Sequence, residues 1–253
     1  MSKRNKSFRR KIIRENDILA VNLCELDPSV AEEFANVLIK LWQDYPGVRG
    51  YLTNLGLFNP KSIEDTHVYA FFQSVFPFVE EGNDVVYKTH IELNSIFFLN
   101  LPKLDASLQS DIELGFHPKN AGKRTSTFVH EMGHYIEFVA TLKQYNIDSL
   151  IIVNADSFSN FYSAATNWAN NKLCLQILNS AYQKSGSTLS FDDWRATVSG
   201  YAVTKDNKGN YLYHETVAES VSDVFENGSD ASLASQYIVK ELQGVLEGDI
   251  TYE

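Results

Sequence analysis

His130-Glu131-Met132-Gly133-His134 decides how the rest of this 253-residue chain is read. On an α-helix, residues four apart stand nearly above one another, so His130 and His134 can offer ring nitrogens to one ion while Glu131 flanks the same side. A strand cannot present them in that way, and the segment is therefore read as helix. In a zinc hydrolase of this pattern the metal acidifies a water, and the carboxylate takes its proton as the water attacks a polarised carbonyl. Glu131 is the candidate general base, His130 and His134 are candidate ligands, and Zn²⁺ is the expected cofactor. By chance alone the pattern turns up in roughly one chain of this length in a hundred. Its surroundings must carry the rest.

Working outward, Gly122 to Thr127 supplies a turn and cap, and the motif helix is expected to run to about Tyr145. Phe128, Val129, Met132, Ile136, Val139 and Ala140 form its packing face, partly separate from the His face. That suits a helix standing against a sheet with its ligands turned into a cleft. Before it, Ser110 to Phe116 reads as a short strand broken at Gly115-Phe116-His117-Pro118.

Two ligands do not complete a zinc site, and a third is sought downstream. His214-Glu215-Thr216-Val217-Ala218-Glu219-Ser220-Val221-Ser222-Asp223 is helix-compatible, with acids four residues apart on one face. Three stacked carboxylates repel one another, and a cation or a buried histidine pair would offset that. Two registers are chemically sound. Either Glu215 binds the metal and Glu219 orients a ligand histidine, or Glu219 binds and Asp223 takes the orienting role. His214 points about 100° away from Glu215 on a helix and is a poor ligand.

The pairing of His130-Glu131-Met132-Gly133-His134 with Glu215-Thr216-Val217-Ala218-Glu219, preceded by Ser199-Gly200-Tyr201-Ala202, resembles the zincin (gluzincin-like) metallopeptidases of the anthrax lethal factor type. Gly115-Phe116-His117-Pro118 is similar to related domains of phage head proteins. The resemblance covers roughly residues 112 to 228. It implies Glu215 as third ligand, Glu219 behind the ligands, and Tyr201 steadying an oxyanion. The polar insertion Thr204 to His214 departs from the pattern, which leaves Tyr211 and Tyr213 as substitutes for Tyr201. A further similarity, to thermolysin with its downstream Glu-x-x-x-Asp, favours the register of Glu219 and Asp223.

Composition sets the frame for this reading. Hydrophobic content of 44%, with 16 Phe and 13 Tyr, builds a core. Phe71, Phe72, Phe76, Phe78, Phe97 and Phe98 are assigned to it. Seven of the 22 basic residues precede the first acid, Glu15, so the remaining 15 face 32 acidic residues. An acidic body is a poor partner for nucleic acid. The basic segment 1–16 is expected to be a flexible terminus, followed by one domain over 17–253. No signal-peptide core or membrane-length apolar run is seen, which points to a cytoplasmic place with virion association or non-classical export as variants. Cys24 and Cys174, far apart, are read as reduced thiols without chemistry.

Elsewhere the patterns predict an extended stretch over Asp17–Leu26 and a helix from Asp27-Pro28 to near Pro46. A second helix is expected from Ser62 through Tyr69, Phe72 and Phe76 to Pro77, then strands over Thr89–Leu93 and Ser95–Leu99. A polar stretch over Asn146–Asn160, a single helix over Phe161–Lys184 and an exposed turn over Lys205–Asn210 complete the reading. The expected fold class is α+β, a zincin-like domain mostly helical with a small mixed sheet. The expected function is zinc-dependent peptide-bond hydrolysis of a protein or peptide substrate. The alternative is a zincin-fold structural or partner-binding protein, of phage type, with a metal site but little peptidase activity.

Overall fold

Asp27 opens the first helix by accepting a hydrogen bond from the Ser29 amide at 2.8 Å, with Pro28 supplying a preset φ at the first helical position. The helix, α1, runs Pro28–Asp44 and buries Val30, Phe34, Leu38 and Leu41 along one stripe. The computed structural model describes residues 20–252 except 82–83 and 153–154. The basic segment 1–16 thus lies outside the described residues, and of the extended stretch Asp17–Leu26 the strand β1 occupies Ala20–Asn22.

The sheet is mixed. Strands β2 (Asn54–Phe58), β3 (Ala70–Glu81) and β4 (Asp84–Asn94) join β1 in the order β1-β2-β4-β3. The first two contacts are parallel, β3 pairs antiparallel with β4, and a two-residue strand β5 (Ile151–Ile152) also meets β4. β3 is therefore the edge strand on one side.

Four expectations are corrected. The helix from Ser62 to Pro77 is instead one 3-10 turn, Glu64–His67, followed by β3. The reciprocal cap does form, with Asp65 N on Ser62 Oγ and Ser62 N on Asp65 Oδ2, both at 3.1 Å. The aromatic and β-branched run after Val68 then goes to ladder pairing with β4, which local spacing does not register. Pro77 sits where the β3–β4 register shifts, between Val75 and Val79, because it has no N–H for the ladder.

Ser95–Leu99 is no strand: Asn94 Oδ1 accepts from Ile96 N at 3.0 Å and starts the short helix α2, Ser95–Phe98. Ser110–Phe116 is no strand either. Its first part ends helix α3, Leu101–Glu113, which Asn100 caps and which buries Leu104 and Leu108. The helix expected over Phe161–Lys184 is two, α5 (Ala155–Ala169) and α6 (Lys172–Ser185), broken where Asn171 takes the left-handed conformation at φ 56°. The polar stretch before them holds β5 and the start of α5.

The motif helix α4, Ser126–Gln144, lies against the sheet. Its Phe128 meets Phe34 of α1 at 5.0 Å between ring centroids, and Phe138 stacks on Tyr87 of β4 at 5.9 Å. Phe72 of β3 reaches both Tyr135 and Phe138. Of these, Phe34, Tyr87, Phe128, Tyr135 and Phe138 are fully buried and each contributes about 1.5–3 kcal/mol relative to exposure, while Phe72 is half-buried against them. Phe97 and Phe98 are buried as expected, while the side chains of Phe76 and Phe78 lie outside those described. Helices α7 (Phe191–Ala196), α8 (Tyr213–Asn227) and α9 (Leu233–Glu247) close the other side, with one apolar cluster running from Val21 to Val245. No helix among the described residues is long and apolar enough to cross a membrane.

Candidate metal centre

α4 and α8 approach closely because two small residues face each other. A Cβ added to Gly133 would lie 2.6 Å from the Ala218 Cα and 3.0 Å from its carbonyl oxygen. That approach brings His130 and His134 of α4 against Glu215 of α8. His130 Nε2 is 3.1 Å and His134 Nε2 3.3 Å from the same oxygen, Glu215 Oε2. Neighbouring ligands of a tetrahedral zinc held at about 2.05 Å are themselves about 3.3 Å apart. The three donors therefore fit one such ion, and their mix of imidazole and carboxylate fits zinc chemistry as it fits other divalent metals.

Glu219, one turn along α8 and fully buried, stands behind the triad. Its Oε1 lies 2.7 Å from His130 Nδ1, close but off the line of a straight hydrogen bond. The same oxygen is 3.0 Å from His117 Nδ1, and Oε2 accepts from Ser199 Oγ at 2.8 Å. Glu219 is thus brought to the far nitrogen of His130, the place of an orienting carboxylate. Asp223 is not brought to the site. Its oxygens accept from Ser232 N, Ser235 Oγ and Asn227 Nδ2, tying the end of α8 to the start of α9.

Charge follows this geometry. Burial raises the Glu215 carboxyl, but His134 and His130 outweigh it and hold it well below the usual range. For Glu219 burial is likewise overcome, by the hydrogen bond with His117 and the close approach of the His130 ring, which bring it to about 2. Burial lowers the His130 imidazole, and the two carboxylates reverse this and raise it well above its usual value. Glu131 moves the other way: burial lifts its carboxyl, only partly opposed by His130 and His134. Its Oε2 accepts from Phe72 N of the edge strand at 2.6 Å.

Tyr201 begins a 3-10 turn, Tyr201–Val203, whose backbone pairs with the segment before α4. Gly200 N donates to Gly115 O at 2.8 Å and Tyr201 N to Phe116 O at 2.9 Å. A Cβ on Gly200 would meet that Gly115 oxygen at 2.8 Å, so only glycine permits the pairing. The other side of the turn is held by Arg195, fully buried on α7. Its guanidinium donates to Ala202 O, Thr216 Oγ1 and Asp192 Oδ1, each at 3.0 Å. Tyr211 and Tyr213 pack on that guanidinium at 4.7 and 4.6 Å, whereas Tyr201 lines the cleft. The turn expected over Lys205–Asn210 is closed by a Lys205–Tyr211 bridge.

The cleft, about 490 Å³, runs from His130, Glu131 and Tyr201 to Tyr69, Phe97 and Leu108. A second buried group, Glu137, Cys174 and His214, lies beyond the triad. There His214 Nδ1 is 2.7 Å from Glu137 Oε2, its ring packs on Trp168, and the Cys174 thiol donates to Asn171 O. Each donor already has a protein partner, and the group ties α4 to α8. His214, turned away from Glu215, is part of this tie.

Two residues of the site have no sequence signal of their own: His117 stands out only within Gly115-Phe116-His117-Pro118, and Arg195, a lone arginine on a short helix, looks like surface. No protein-family model, curated protein or solved structure matches the chain. The class that fold and site define is accordingly a coarse one: a mixed helix-and-sheet protein with a two-histidine, one-carboxylate centre between two packed helices.

Proposed function

We propose that the chain is a zinc-dependent metallopeptidase of the zincin type, acting on a protein or peptide. The observation that carries this reading is the meeting of His130 Nε2 and His134 Nε2 at one oxygen of Glu215, beside the buried carboxyl of Glu131. Zinc held by His130, His134 and Glu215 would supply an acidified water and a Lewis acid for the scissile carbonyl. The remaining steps fall to the chain's own side chains.

Glu131 takes the water proton. The Phe72 N–H holds Oε2 in place, and the lifted pKa brings the carboxyl nearer to the range a general base needs at neutral pH. The same carboxyl then passes that proton to the leaving amine. The Tyr201 hydroxyl keeps its own proton, because burial and the carboxylates of Glu215, Glu131 and Glu219 push its pKa up. It can therefore donate to the oxygen that becomes anionic. The start of β3 walls the cleft and offers edge backbone groups to an extended peptide.

The test combines metal content with cleavage. Protein purified without added metal should carry about one zinc per chain and cut members of a proteome-derived peptide library. Glu131→Gln should abolish cutting while zinc content and melting temperature hold. Cleavage that survives Glu131→Gln, or a chain that takes up no zinc on titration, would sink the proposal.

A further inference from the structure

His117 takes no part in the ligand triad, yet the chain holds it in place from several directions. Before it, Gly115 O and Phe116 O accept from the Gly200 and Tyr201 amides. After it, Lys119 O accepts from Asn227 Nδ2 at 2.7 Å, and Asn120 Nδ2 donates to Asn227 Oδ1 at 2.8 Å. The ring itself is fixed by Nδ1 against Glu219 Oε1 at 3.0 Å.

That oxygen is the one that also meets His130 Nδ1. A single buried carboxylate therefore backs two imidazoles, one aimed at the metal position and one beside it. The rings of His117, His130 and Tyr201 form a triangle with centroid separations of 6.3, 5.7 and 5.7 Å. A histidine that merely satisfied Glu219 could be enclosed. This one lines the cleft with a side chain one-fifth exposed, and its Nε2 has no partner among the described residues.

We propose that His117 is a further catalytic residue, whose Nε2–H joins the Tyr201 hydroxyl in binding the oxygen that turns anionic during attack on the peptide carbonyl. This rests on the metallopeptidase reading. As the water oxygen adds to the carbonyl carbon, the π electron pair moves onto the carbonyl oxygen. The water proton goes to Glu131 and from there to the leaving nitrogen as the C–N bond breaks. His117 donates this hydrogen bond from Nε2 and keeps its proton, with Nδ1 held at Glu219 Oε1. Two such donors lining one cleft beside His130 would suit a small tetrahedral anion.

Phenylphosphonate, a tetrahedral anion, is the probe, with calorimetric affinity measured on the zinc-loaded full chain alongside zinc content. His117→Gln keeps an amide donor for Glu219 and removes the donor facing the cleft. Its zinc content and melting temperature should stay at the wild-type level, with phenylphosphonate affinity down on the order of tenfold or more. His117→Phe, which loses both contacts, should fall at least as far. Zinc-loaded wild-type protein that ignores phenylphosphonate, or a His117→Gln protein that binds it as the wild type does, overturns the role of His117 alone. A chain that takes up no zinc overturns the metallopeptidase reading and the role of His117 with it.

Discussion

Gly133 and Ala218 meet backbone to backbone: a side-chain carbon on Gly133 would stand 2.6 Å from the Ala218 Cα. The residue between Met132 and His134 in the motif is thus under a packing constraint that has nothing to do with ligation. Gly133→Ala would push α8 away from α4, because neither helix backbone can yield as a flexible side chain does. The expected cost is about 1–3 kcal/mol of stability. Zinc uptake should fall with it, since Glu215 moves on α8. Unfolding curves with parallel zinc titration check this, and wild-type values in both would refute the coupling.

Zinc content also reads the register along α8. Glu215→Ala should remove binding almost completely. Glu219→Ala should weaken it by about 10–100-fold, the usual effect of losing an orienting carboxylate. Asp223→Ala should leave it intact and lower stability instead, because its partners are Ser232, Ser235 and Asn227. Greater loss with Glu219→Ala than with Glu215→Ala would move the ligand one turn along the helix.

Arg195 holds the Tyr201 turn to α8 through Ala202 O and Thr216 Oγ1. A lysine cannot span that fork, being a single charged point on a flexible stem. Arg195→Lys should cost about 2–4 kcal/mol by leaving buried acceptors unmatched. Peptide turnover should fall through kcat, with zinc content unchanged. Zinc loss in step with turnover would show that Arg195 supports the ligands and not Tyr201.

The metal-free protein should show a stability window in pH. Glu215 and Glu219 have depressed folded-state values, so their contribution is present above the ordinary carboxyl value of 4.5 and fades as pH falls, for Glu219 through about 2. His130 has a raised value, so its contribution is complete below 6.5 and is lost as pH climbs through the folded value. Melting temperature without metal should therefore peak between about 4.5 and 6.5. Zinc requires neutral imidazoles and should reverse the alkaline side, raising the melting temperature most above pH 7. A metal-free melting temperature that is flat from pH 6 to 9 would count against the His130–carboxylate coupling.

Periodic patterns were readable because they are local. The four-residue spacing of His130 and His134, the acid ladder at 215, 219 and 223, and the Asp27-Pro28 start all follow from helix geometry and the chain's own neighbours. Each lies on a helix in the structure. Where the outcome depended on distant partners, local spacing misled: Ala70–Glu81 has helix-like aromatic spacing, yet its hydrogen bonds go to β4. Spacing along the chain marked out the candidate residues, two imidazoles with a flanking carboxyl on one helix and a choice of acids on another. Only the tertiary structure decided which acid meets both histidines, that Asp223 serves α9, and that His117 and Arg195 belong to the site. Those outcomes turn on how closely α4 and α8 approach and on loop pairing between Gly115–Phe116 and Gly200–Tyr201. Contacts between residues about 85 apart carry no periodicity along the chain, so no pattern within it can announce them.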